Sequence, residues 1–114
     1  MEIPELLQKQ AIQQLDKFCR ERIPCERFHG LRLGYNLKDN HVTLYEERLT
    51  PVSDDEWLRT PIARFSYCAD LNQWVLYSID RDLRWHIYQN IPPSLNLSRL
   101  IKALDDDPIG IFWG

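Results

Sequence analysis

From Leu31 onward, apolar and polar side chains alternate: Leu31, Leu33, Tyr35 and Leu37 share one parity, with Arg32, Gly34 and Asn36 between them. Successive side chains of a strand point to opposite faces, so the run reads as a half-buried strand. Lys38-Asp39-Asn40 is turn chemistry and Val42-Thr43-Leu44-Tyr45 resumes the pattern. Residues 31–47 are therefore expected to form a hairpin. Three further strands are expected near 62–67, 74–79 and 84–88, with connections short enough to favour antiparallel neighbours.

Helical spacing flanks this sheet. Leu7, Ala11, Leu15, Phe18 and Cys19 mark a helix over about 5–22, opened by Pro4 and ended by Ile23-Pro24. Leu97, Leu100, Ile101 and Leu104 mark a second over about 97–104, with Ser94 or Asn96 as cap. The expected fold is α+β: a five-stranded antiparallel meander with both helices packed on one face. Residues 49–61, with Pro51, Ser53, three acids and Pro61, read as a long loop that Trp57 pins to the body.

With 114 residues, 44% of them apolar, the chain is expected to be a single domain, residues 1–114. Its apolar runs are too short to span a membrane, and Met1-Glu2-Ile3-Pro4-Glu5 does not begin a signal peptide. Three cysteines cannot all pair within one chain, which favours a reducing, cytoplasmic setting. The net charge is −3, and the excess acid lies in Asp54-Asp55-Glu56 and Asp105-Asp106-Asp107. That balance gives no general reason to expect a nucleic-acid partner.

Parity sorts Leu31, Leu33, Tyr35, Val42, Leu44, Ala63, Phe65, Tyr67, Trp85 and Ile87 toward the helices. The outer face receives Arg32, Thr43, Tyr45, Arg64, Arg84, His86 and Tyr88. On the fourth strand Val75, Tyr77 and Ile79 oppose Trp74 and Leu76, so both faces are apolar and both need cover. Arg32, Tyr45, Arg64, Trp74, His86 and Tyr88 are the candidate binding residues. Arginines among aromatics either stack on bases or pair with one another across strands beneath a loop, a tail or a second subunit. A bulge in the third strand would reverse part of the sort.

The chain resembles a bacterial family catalogued as domain of unknown function 3024. The resemblance rests on Glu46-Glu47-Arg48, Trp57, Thr60-Pro61-Ile62-Ala63-Arg64-Phe65, Trp74-Val75-Leu76-Tyr77, Asp80-Arg81 and Arg84-Trp85-His86-Ile87-Tyr88. Pro92-Pro93 and the ending Asp107-Pro108-Ile109-Gly110-Ile111-Phe112-Trp113-Gly114 complete it. Asp82-Leu83 stands where that family tends to place a Gly-containing turn, which argues against a two-residue hairpin there. The resemblance implies no activity.

Ile111, Phe112 and Trp113 form an apolar tail, worth about 1.5–3 kcal/mol per side chain if buried. It is expected to dock on its own sheet, helping to close the outer face, or on a neighbour's. His86 is a candidate general base, with Asp80 or Asp82 as orienter and Arg84 steadying an anion. Cys25 and His29 resemble a zinc half-site, but no paired C-x-x-C accompanies them, so neither metal nor cofactor is expected. The triple aspartate reads as a solvated helix end paired with arginines. The composite expectation is a non-catalytic binding or protein-interaction domain, a homodimer or the partner of another protein. The alternatives are a small hydrolase or nuclease using His86 and a nucleic-acid-binding sheet.

Overall fold

The structure, a computed structural model, describes residues 3–23, 30–50 and 52–113, with the backbone alone over 53–55. Cys25 and His29 lie outside the described residues. Helix α1 (Glu5–Arg22) leads into strands β1 (Leu31–Lys38), β2 (His41–Thr50), β3 (Ser53–Cys68), β4 (Gln73–Ile79) and β5 (Trp85–Ile87). Helix α2 (Leu97–Asp106) follows. The strands make one antiparallel sheet in chain order, so the fold is the α+β meander that alternation and short turns imply.

Two rows of paired residues carry the helix-side face: Leu37, Val42, Phe65 and Leu76, then Tyr35, Leu44, Ala63, Ser78 and His86. Against them α1 buries Ala11, Leu15 and Cys19, and α2 buries Leu97, Leu100, Ile101 and Leu104. Asn96 caps α2, its side chain accepting from the Ser98 amide at 3.2 Å. Burial pushes the Cys19 thiol up to about 12, with Asp16 and Glu47 adding to the effect, so it is an un-ionised core group. No helix among the described residues is long and apolar enough to cross a membrane.

The structure corrects four expectations. Residues 53–61 are strand, because pairing with β2 from Leu49↔Trp57 to Tyr45↔Pro61 overrides a loop-like composition. Proline is tolerated there because β4 pairs with β3 only from Ala63 onward, leaving 53–62 an edge. The register shifts between Leu44 and Tyr45, so Ile62 is an extra residue. On β5 the parity is reversed. His86 sits opposite Ser78 on the helix side, while Trp85 and Ile87 face outward beside Ile79 and Tyr77.

Trp74 is likewise a core residue, 2% exposed, packed on Tyr67 and bonded through its backbone to Ser94. The fourth correction concerns the tail, which docks on the helix side. Asp107, at φ 39°, reverses the chain after α2, and its carboxylate accepts from the backbone amides of Ile111, Phe112 and Trp113. Phe112 then packs on Tyr88, and Trp113 on Phe18 beneath the Arg22 guanidinium. The Trp113 indole donates to the Leu104 carbonyl at 2.8 Å. Asp105 pairs with Arg22 and Asp106 with Lys102, so each acid of the run has a separate partner.

Asp107→Asn keeps a residue tolerant of positive φ but loses a charged acceptor of three amides. It is expected to lower stability by about 1–2 kcal/mol. Urea unfolding followed by tryptophan emission checks this; an unchanged midpoint would show that the tail holds without the carboxylate.

Candidate functional site

The outer face is covered by its own arginines. Arg32 lies 3.8 Å over Trp57, Arg59 4.8 Å over Tyr45 and Arg64 4.4 Å over Trp85. Glu47, 7% exposed, accepts from Arg32 at 3.1 Å and from Arg59 at 3.2 Å, and Arg64 donates to Thr43. Of the candidate binding residues, Arg32, Tyr45 and Arg64 lie here, on aromatic surfaces that guanidinium groups already occupy. Arg59 and Glu47 join them because the β2–β3 ladder sets the two side by side, a pairing that the loop-like composition of 49–61 conceals.

The remaining candidates gather elsewhere. A groove of about 650 Å³ runs along the helix side of the β4–β5 hairpin. Ser78, Asp80, Arg81 and His86 line one part, Tyr88, Gln89 and Asn90 the next, and Ile109–Ile111 of the tail the far wall. Ile79 and Ile87 reach it at the sheet edge. Tyr88 is buried against Phe112, and its hydroxyl accepts from Asn90.

The β4–β5 turn orients the polar wall. The Asp80 amide donates to the Arg84 carbonyl at 2.9 Å, and the Leu83 amide donates to the Asp80 carbonyl. Leu83, at φ 63°, takes the left-handed position that glycine ordinarily fills in such three-residue loops. One Asp80 oxygen accepts from the amides of Asp82 and Arg84, and the other lies 2.6 Å from His86 Nε2. The carboxylate thus favours the tautomer with the ring proton on Nε2. Arg84 contributes its backbone, whereas Arg81 lines the groove; parity alone gave no sign of that exchange. Among the described residues no three His, Cys, Asp or Glu side chains converge as a metal site.

The edge itself carries unpaired backbone. Asp80–Arg84 and Leu76–Tyr88 are hydrogen-bonded, so the alternation of the antiparallel ladder turns Arg84, His86 and Tyr88 toward β4. Trp85 and Ile87 therefore direct their N–H and C=O groups away from the sheet, and no strand among the described residues pairs with them.

Fold and groove together define the class: an α+β domain whose meander ends on an open edge strand beside a groove. Residues 3–114 match the family described as Domain of unknown function (DUF3024), and the chain belongs to that family. No curated protein and no solved structure matches it.

Asp80 is held below its ordinary 3.8, first by the Arg84 amide, then by His86, with the Asp82 amide adding to them. A carboxyl lowered on folding contributes stability in full above 3.8 and loses it as pH falls through the lowered value. Asp80→Asn is therefore expected to unfold at lower urea than the parent at neutral pH, with the two converging under strong acid. A gap that persists or widens in acid contradicts this assignment.

Proposed function

We propose that this chain is a non-catalytic protein-interaction domain that takes an extended peptide segment of a partner into the β5 groove as an added strand. One observation carries the reading. Trp85 and Ile87 turn unpaired backbone groups outward at an edge whose groove is walled by exposed Ile109 and Ile111. Main-chain hydrogen bonds to an exposed edge supply affinity, and alternate side chains supply specificity. A cytoplasmic setting belongs to the same reading, supported by the free thiols of Cys19 and Cys68.

The test uses a capped peptide, Thr-Ile-Thr-Ile-Thr, titrated into the isotope-labelled full chain. Saturable binding with slowed exchange of the Trp85 and Ile87 amides is expected. Ile87→Pro removes an outward donor without breaking a bond to β4, and should abolish binding. Backbone N-methylation of the peptide should do the same to the unaltered chain. Binding indifferent to both changes, or no binding at all, overturns the reading.

A second reading, ester or phosphodiester hydrolysis with His86 as base, is favoured by its 2.6 Å contact with Asp80. Against it, the imidazole is 59% exposed, and no hydroxyl or thiol among the described residues bonds to it. It requires turnover of p-nitrophenyl acetate or bis(p-nitrophenyl) phosphate that both His86→Gln and Asp80→Asn lose.

A further inference from the structure

The chemistry of the groove wall also selects the partner, an inference that rests on the strand-addition reading. An added strand continues the rows of the sheet. One of its residues extends the outer row Arg64–Tyr77–Ile87, and its chain neighbour extends the helix-side row Ser78–His86. The outer neighbour meets Ile87, which is 55% exposed and apolar. The inner neighbour enters the groove beside His86.

What that inner residue meets is decided by which charges are already used. Asp80 is the carboxylate of the groove wall, and it accepts from two backbone amides and from His86. Three of its roughly four acceptor positions are thus used within its own hairpin. Arg81 has no hydrogen-bond or ion-pair partner among the described residues. The side-chain amide of Gln89 lies farther along the same wall. The wall thus offers a cation with no counter-ion among the described residues, in a groove whose opposite wall is the aliphatic surface of Ile109 and Ile111. Such a site complements a carboxylate on an apolar stem, with guanidinium and carboxylate geometry suited to paired hydrogen bonds.

We infer that the partner segment carries a glutamate at the position beside His86, flanked by aliphatic residues on the outer face: an Ile-Glu-Ile pattern in extended conformation. The glutamate methylenes lie along Ile109 and Ile111, and its carboxylate meets Arg81. An aspartate lacks the stem to use both walls. The Arg81 contact sits at an open groove, so its strength falls as salt rises.

The experiment compares capped Thr-Ile-Glu-Ile-Thr with its Gln analogue on the full chain, by calorimetry at low salt and by the same amide-exchange readout. The glutamate peptide is expected to bind about tenfold tighter, a gap that narrows at high salt. Arg81→Gln should erase the discrimination, bringing the ratio of the two affinities to about one. Equal affinities for the two peptides overturn the glutamate assignment and leave strand addition standing. Binding of neither peptide removes the strand-addition reading with it. A full chain that dimerises in the ultracentrifuge and protects the Trp85 and Ile87 amides without peptide overturns the inference in favour of a second copy as occupant.

Discussion

A sheet with helices on one face only must keep water from the aromatic groups on the other, and here flat guanidinium groups do so. Arg32, Arg59 and Arg64 each lie over an aromatic ring, combining a long hydrocarbon stem with a weakly hydrated planar head. Such cover brings positive charge, which the buried Glu47 offsets for two of the three arginines. A side chain at position 34 would crowd that carboxylate: a Cβ there would lie 2.7 Å from Glu47 Oε1. Gly34, Glu47 and the two arginines therefore form one unit. Because this unit covers the face from within, the tail is free to run along the helices.

Two aspartates give the groove its shape. Asp80 closes the β4–β5 turn and so fixes which side of β5 carries His86. Asp107 gathers three amides of the tail and so places Ile109 and Ile111 opposite. Each carboxylate binds backbone donors just beyond the end of a regular element, where those donors lack partners of their own. Neither needs a partner chain, and together they set the two walls that a ligand would touch.

Much of the fold was legible because periodicity and turn chemistry are local. Leu33, Leu44, Phe65 and Leu100 are all where alternation or helical spacing put them. The misreadings share a non-local cause. Pro61 and the acidic run before Trp57 make a poor strand in isolation, and it is pairing of Trp57 through Pro61 with β2 that makes one there. The face of His86 depends on the length of the turn before it, which a leucine at a glycine position conceals. Asp80 beside His86 was visible as a candidate pair. Arg81 and the tail wall were not, since they meet it only through the turn and the docked C-terminal segment.

The sheet's edges also differ in how they are guarded, which bears on where a partner strand could dock. Along β1, Leu33 and Tyr35 lie under α1, and the Tyr35 hydroxyl donates to Asp16 at 2.6 Å. The free length of β3 carries Glu56, Arg59 and Pro61, the charged and proline residues that discourage strand addition. At β5 the guard among the described residues is brevity, three residues with two outward-facing backbones. Brevity limits the hydrogen bonds a partner can make, so side chains must supply the rest of the affinity. The surroundings of β5 match that requirement: a cation without an anion among the described residues, and exposed isoleucines on both sides of the edge. Of the three open edges among the described residues, it is therefore the one where backbone and side-chain recognition coincide.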